Sequence, residues 1–345
     1  MACRPFQKRQ RGLVRALVVG GGGYLGSHIV HGLLAANHGV VVVDNFFSGH
    51  RELLPRQIPI FSCDAGYMAG VEDVLGQHPV DVVIYCAGLS DSARSRQYPF
   101  HYYHNNFIAV FYLLQAMLRK NVRRFLFSSN FSIHGPEPAV PITERSPRQP
   151  EDPLGRSLCA VEDLLADLAI SEKLGYAVVR VGNVAGALPS GKLGPWPSGS
   201  NRLIAMALDV AQGLREFLPV HGEGLPTVDG SPVRDHVHVC DVVEAYLSAA
   251  ARIPATGGGD CYLLGTGRPA SVIQVAKRVE ALTHRPIALR VTPGDWRPWA
   301  VHADATRTRR ELAWAPRHDL DSIVETEWRW RMDGARQLAA VAGKD

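Results

Sequence analysis

The chain has 345 residues, 46% of them hydrophobic and 20% charged, enough to bury one large core or two moderate ones. No apolar run is long and uncharged enough to span a bilayer, and a net charge of +4 suits small anionic ligands such as phosphates without pointing to nucleic acid. Six cysteines (Cys3, Cys63, Cys86, Cys159, Cys240 and Cys261) lie scattered without paired spacing, which argues against a zinc site or disulfide frame and for a reducing, cytoplasmic setting.

Residues 1–15 carry Arg4, Lys8, Arg9, Arg11 and Arg15 and no acid, and read as a solvated basic tail. The next stretch organises the chain. Leu17-Val18-Val19 is a strand; a glycine turn holds Gly20, Gly23, Tyr24, Leu25 and Gly26; an apolar-periodic helix runs to about Ala36; and Val40–Val43 is a second strand ending in Asp44. Gly20 permits the sharp turn, Gly23 the approach of a pyrophosphate, and Gly26 the close packing of helix on strand. The diphosphate then sits on the free N–H groups and positive dipole end of the helix. Asp44, eighteen residues past Gly26, is placed to accept from a ribose 2'-OH and would repel a 2'-phosphate, so the spacing calls for NAD rather than NADP.

Asn45 opens a loop beside the adenosine, and a strand at Ile58–Phe61 leads to Asp64-Ala65. Val80–Cys86 is a buried strand ending in the small-residue turn Ala87-Gly88. Phe100 to Arg119 has helical apolar spacing broken at Asn105-Asn106, and its face of Phe107, Val110, Phe111, Leu114 and Met117 is broad enough to suggest a homodimer contact. Phe125 to Ser129, including Ser128, is a fifth strand, and Tyr176–Val181 a sixth. The alternation predicts an α/β fold: a doubly wound parallel Rossmann sheet with a smaller α/β substrate domain. The dinucleotide domain takes 16–182 plus about 236–265, and the substrate domain 183–235 and 266–335.

Beyond Gly182 the glycine and proline content rises. Arg202-Leu203 opens a helix, and Phe217–Gly222 is a short strand carrying His221. His236, His238 and Cys240 alternate as metal ligands might, but the spacing matches no zinc pattern, and no metal is assigned. Ser271 caps a helix to Thr283. Asp319 to Arg331 reads as an exposed, charge-laced terminal helix carrying Trp328 and Trp330.

From Ala16 to about Arg331 the chain resembles the extended short-chain dehydrogenase/reductase superfamily, and within it the UDP-galactose 4-epimerases. The resemblance rests on Gly20–His28, Val43-Asp44-Asn45-Phe46, Ala87-Gly88-Leu89, Tyr102–Asn106, Phe127-Ser128-Ser129, Arg180–Gly191, Pro226–Val239 and Gly294–Pro298. It implies an NAD site that also uses Asp64, Ala65, Ala87, Gly88, Asn105 and Ser128. It further implies a nucleoside-diphosphate sugar, a UDP-sugar, held by Asn183, Arg202, Leu203, His221 and Arg234. The family arginine before Gly294 is missing, and Arg297 or Arg290 is the candidate replacement. Arg234 either grips the diphosphate or pairs with Asp235.

Family epimerases abstract a sugar hydroxyl proton with a tyrosine, aided by a lysine four residues on and by a serine or threonine. Here those three positions hold Leu154, Leu158 and Asn130. Sliding the alignment finds no tyrosine between Tyr112 and Tyr176 and no lysine between Lys120 and Lys173. Ser90 likewise stands where the epimerases often carry a lysine. Leucine neither accepts a proton nor depresses a neighbour's pKa, and losing a positioned base costs about 10²–10⁴ in rate. The expectation is an NAD-binding, epimerase-like protein without ordinary 4-epimerisation, serving as a binding or regulatory partner. The alternative is an active nucleotide-sugar epimerase, isomerase or dehydratase using substitute residues, for which His134 and Asp91 are the candidates.

Overall fold

The computed structural model describes residues 14–136, 138–196, 200–222, 224–293 and 298–334. Most of the basic tail and Arg297 lie outside the described residues. Arg15, assigned to the tail, instead opens the first strand, where its N–H donates to Asp81 at 2.7 Å.

In chain order the first elements are β1 (Arg15–Val19), α1 (Tyr24–Ala35), β2 (Gly39–Asp44), β3 (Ile60–Ser62), α2 (Met68–Gln77), β4 (Val82–Tyr85), α3 (Ser92–Gln97), α4 (Pro99–Tyr103), α5 (Ala109–Arg119), β5 (Arg124–Asn130), α6 (Pro153–Ser171) and β6 (Gly175–Val181). They continue as β7 (Asn183–Ala185), α7 (Leu203–Ala211), β8 (Leu218–His221), β9 (Val233–Arg234), β10 (His236–His238), α8 (Val239–Arg252), β11 (Gly258–Leu264), β12 (Ala270–Ser271), α9 (Val272–Thr283), β13 (Leu289–Thr292), β14 (Ala300–Val301), α10 (Thr306–Leu312) and α11 (Leu320–Arg329).

The chain divides into two compact units. One comprises the chain up to Gly135, Arg148–Arg180 and Val243–Tyr262; the other comprises Pro136–Pro147, Val181–Val242 and the chain from Leu263. The first is built on a seven-stranded sheet of order β11-β6-β5-β4-β1-β2-β3. The pairs from β3 through β5 are parallel, with Val19 facing Val43 on one side and Tyr85 on the other. This is a doubly wound α/β sheet of Rossmann type, and the apolar runs of β1, β2 and β4 follow from burial on both faces. The order reverses between β1 and β4, and in open α/β sheets ligands bind in the crevice outside the carboxyl ends of the strands at that point.

Asn105-Asn106 does not break the helix that carries it. His104–Ile108 forms a π turn between α4 and α5, so one continuous helix runs from Pro99 to Arg119. A π turn inserts a residue into the helical ladder and so re-aims side chains without ending the element.

The second unit has its own core, with Ile204, Leu208, Val275, Val279, Ile323 and Val324 buried among α7, α9 and α11. Ser271 caps α9 with a full capping box: its hydroxyl accepts from Gln274 N–H, and its own N–H donates to the Gln274 side chain. The terminal helix departs from expectation. Trp330 follows α11 in a second π turn and is 0% exposed, its indole N–H donating to Pro195 O at 2.7 Å; Arg331 is buried and pairs with Asp209. The alternating Trp-Arg pattern hid a core face: Trp330 lies seven residues past buried Ile323 and Arg331 seven past buried Val324, on one side of the helix.

Candidate functional site

The glycine turn between β1 and α1 is fixed by close contacts that a side chain would forbid. Gly20 has φ +81°, and a Cβ there would run into the backbone of Ala87 at the end of the β4 loop. A Cβ on Gly26 would overlap Gly20 O, so that first helical turn packs directly on the strand exit. Gly23 is the N-cap of α1 and provides no side-chain cap, and no acid sits in the first turn. The turn carrying Tyr24 and Leu25 therefore presents a positive helix end uncovered by any carboxylate of its own, the arrangement a diphosphate requires.

Asp44 ends β2 and is largely buried, and both its oxygens are oriented. One accepts from Gly22 N–H and the other from Phe46 N–H, each at 2.7 Å. A carboxylate has about four lone-pair sites, so two remain for the hydroxyls of a ribose. Asn45 donates to Asp64 at 2.8 Å, and Asp64 accepts from Gly66 N–H at 2.8 Å, which ties the β2 and β3 exits together beside the buried Ala65. A cradle that a Cβ would fill and an oriented acid at the strand end together fit the adenosine diphosphate half of NAD.

The β4 exit is held by a residue the sequence reading passed over. Gly88 adopts φ +127°, Leu89 N–H donates to Asn106 Oδ1 at 2.8 Å, and Asn106 Nδ2 donates back to Leu89 O at 3.0 Å. Asn105 instead turns its amide to His101 O in its own helix, while its carbonyl accepts from the Tyr85 hydroxyl. The doubled asparagine was the available signal, and Asn106 is the one that shares the buried face of Tyr102, Val110 and Leu113 at helical spacing.

The β5 exit and the start of α6 contain few groups able to move a proton. Leu154 and Leu158 are 2% and 6% exposed and lie in one hydrocarbon cluster with Tyr102, Leu113 and Ile133. Asn130 spends its side-chain oxygen on the N–H and hydroxyl of Ser132. Ser128 shares a 2.6 Å hydrogen bond with the Tyr246 hydroxyl, but burial pushes that phenol well above its ordinary pKa, so it keeps its proton. His134 is buried in the turn after β5. Asp91 caps α3 through Arg94 N–H at 3.0 Å, and its carbonyl accepts from the Tyr102 hydroxyl at 2.6 Å. Asp152 caps α6 through Gly155 N–H at 2.7 Å and also accepts from the Ser92 hydroxyl. Further along α6, buried Glu162 pairs in fork geometry with Arg180 at 2.6 and 3.1 Å and accepts from Ser129 at 2.8 Å.

In the second unit Arg234 does not pair with Asp235, whose carboxylate is occupied by Thr266 and by Gly267 N–H. Among the described residues Arg234 donates only to carbonyls, Val233 O at 2.8 Å and Trp299 O at 3.3 Å, and no carboxylate pairs with it. Burial pulls its pKa down to about 10, the signature of a guanidinium held out of water without an anion of its own. Asn183 is exposed at the start of β7, and Arg202 precedes α7 with its Nε 3.0 Å from Ser200 Oγ. Leu203 packs against the core of this unit. His221 ends β8 with Nδ1 2.7 Å from Thr292 Oγ1, and burial lowers its pKa.

His236 and His238 both lie in β10. His238 Nδ1 accepts from Cys240 N–H, its Nε2 lies 3.0 Å from Thr326 Oγ1, and its ring stacks on His318 at 4.1 Å. His236 is fully enclosed, neither ring nitrogen has a hydrogen-bond partner among the described residues, and burial, aided by Arg234, lowers its pKa to about 4.

Residues 16–265 match the family described as NAD dependent epimerase/dehydratase. The UDP-glucose 4-epimerase of Bacillus subtilis is 34% identical over 327 residues, covering 91% of this chain and 96% of the relative. That of Azospirillum brasilense is 35% identical over 320 residues, covering 92% and 91%. Among solved structures, the UDP-glucose-4-epimerase of Stenotrophomonas maltophila, with bound NAD and formylated UDP-arabinopyranose, superposes with a TM-score of 0.89 at 31% identity. It covers 94% of this chain and 99% of its own. The expectation of an inert binding or regulatory protein is corrected here: the relatives that match about nine-tenths of the chain are enzymes. Inertness rests on three side chains, and three positions weigh less than similarity sustained through both units.

Proposed function

Because the chain belongs to the NAD dependent epimerase/dehydratase family, we propose that it is an active nucleotide-sugar epimerase, isomerase or dehydratase with NAD as cofactor and a UDP-sugar as substrate. The observation that carries this reading is the similarity to UDP-glucose 4-epimerases across about nine-tenths of the chain, with the glycine cradle and Asp44 formed as a dinucleotide requires.

In this reading the cofactor half uses Gly20, Gly23, Tyr24, Leu25, Gly26, Asp44, Asn45, Asp64, Ala65, Ala87, Gly88, Asn105 and Ser128. Bound NAD supplies an acceptor for hydride. Arg234, desolvated and without a carboxylate, takes the diphosphate, with Asn183, Arg202, Leu203, His221 and Arg297 as further substrate contacts. Leu154, Leu158 and Asn130 stand in place of the tyrosine, lysine and serine of the standard set, so the sugar hydroxyl proton goes elsewhere. His134 and Asp91 follow β5 and β4 at the carboxyl edge of the sheet, and an imidazole or carboxylate there accepts that proton.

Val110, Leu114 and Met117 of the face expected to make a dimer contact are buried in the core instead, and it is Phe100, Tyr103, Ile108, Phe111 and Tyr112, exposed along the Pro99–Arg119 helix, that support a homodimer, together with the α6 helix. No disulfide joins the five described cysteines, and a cytoplasmic setting is part of the same proposal. No helix among the described residues is long and apolar enough to cross a membrane.

The test is product analysis by nuclear magnetic resonance after incubating full-length protein and NAD with UDP-glucose or UDP-galactose. Conversion is expected in the wild type, and a fall of about a hundredfold or more in His134→Asn or Asp91→Asn. Conversion untouched by both variants would remove those two residues from the reading. Absence of conversion with every UDP-hexose would remove the activity.

A further inference from the structure

The two ends of the dinucleotide site are not equally equipped. The strand order places β2 and β3 on one side of β1, and β4 and β5 on the other. A dinucleotide laid across that reversal has its adenosine over the β2 and β3 exits and its other nucleoside over the β4 and β5 exits. The adenosine end has an oriented carboxylate, an open helix N-terminus and a cradle closed to any Cβ.

The other end is flanked by residues 86–92, 130–135 and 152–158. Apart from buried His134, their one basic residue is Arg156, which is exposed. Their two carboxylates, Asp91 and Asp152, are engaged as helix caps. Asn130 is spent on Ser132, and the inner face of α6 presents Leu154 and Leu158 as hydrocarbon. Apart from His134 and Arg156, nothing in the segments offers a cationic donor to ribose hydroxyls, and a charge-assisted donor of that kind is worth about ten- to a hundredfold in affinity.

We infer that this site binds NAD chiefly through its adenosine diphosphate half, so that NAD exchanges freely and adenosine diphosphates lacking nicotinamide compete for the same site. The inference rests on the NAD assignment above and adds a ligand class, free ADP, that would occupy the cradle and displace the cofactor. The enzyme would then respond to the ratio of NAD to ADP around it.

Calorimetric titration of the full chain with NAD and with ADP tests this directly, after exhaustive dialysis and absorbance measurement of retained nucleotide. NAD is expected to wash out, and ADP to bind within about tenfold of NAD. In Leu158→Lys, NAD is expected to tighten about tenfold or more over ADP; should that variant not fold, the wild-type ratio alone decides. NAD that stays bound through dialysis, or that binds far more than tenfold tighter than ADP, overturns the inference. Failure of both nucleotides to bind defeats the cofactor assignment and the inference with it. Loss of turnover with binding as described defeats only the proposed activity.

Discussion

The cradle after β1 and the hydrocarbon face at the start of α6 belong to the same unit but obey different constraints. In the cradle, Gly20 and Gly26 are set by backbone clearances measured against Ala87 and against Gly20 O, so no other residue satisfies them. On α6, Leu154 and Leu158 fill buried volume that many side chains could fill, and burial of each stabilises the fold by about 1.5–3 kcal/mol. A fold therefore records its ligand most durably where main chain meets main chain. Side chains that do chemistry can be exchanged for packing without disturbing the architecture around them.

The sharpest way to break this comparison is to restore the second region. Asn130→Ser, Leu154→Tyr and Leu158→Lys together place a hydroxyl, a phenol and an amine at the β5 exit and the α6 face, as the family resemblance would have them. Turnover is expected to rise about 10²–10⁴-fold, read from initial rates, at some loss of thermal stability from lost apolar burial. No rise in a folded triple variant would mean that the surrounding pocket has diverged as well.

The first region breaks in the opposite way. Gly26→Ala places a methyl group on Gly20 O and should weaken NAD binding about a hundredfold by calorimetry, provided circular dichroism shows the sheet intact. If the affinity were unchanged, the cradle would not be the cofactor seat.

Between the two lies a buried ion pair that serves architecture alone. Glu162→Gln leaves Arg180 charged and poorly matched, and is expected to cost about 3 kcal/mol in denaturant unfolding without changing nucleotide affinity. A parallel loss of affinity would place Glu162 in the site instead.

The smallest effect concerns pH. His236 has a folded-state pKa near 4 against an ordinary value of 6.5, so the unfolded chain binds the proton first. Its contribution to stability is complete above pH 6.5 and is lost as pH falls through 4, about 2 kcal/mol of it by pH 5. Melting temperatures of wild type and His236→Phe between pH 7 and pH 5 should converge as the pH drops, and parallel curves would contradict the assignment.

These particulars show what could be read before any coordinates. Strand and helix alternation, the glycine turn and Asp44 were legible because periodicity and backbone sterics act locally. The choice between Asn105 and Asn106 was not drawn, because two polar residues in an apolar run read as a break, although Asn106 lies at helical spacing from buried Tyr102, Val110 and Leu113. Burial of Trp330 and Arg331 was hidden because alternating Trp and Arg read as a charged surface, although both fall at helical spacing from buried Ile323, Val324 and Glu327. Arg234 offered two readings, and the occupation of Asp235 by Thr266 and Gly267 removed the pairing one. Inertness does not follow from Leu154, Leu158 and Asn130, because three positions assigned by resemblance do not by themselves remove an activity that relatives across nine-tenths of the chain carry.

The central claim is that this chain still converts nucleotide sugars, and isotope transfer tests it most directly. UDP-glucose deuterated at C4 is incubated with full-length protein and NAD in ordinary water. The claim expects a new nucleotide sugar, either an epimer that keeps its deuterium at C4 through return to the opposite face, or a dehydrated product. UDP-glucose recovered unchanged, from protein shown in the same sample to bind NAD, would contradict it.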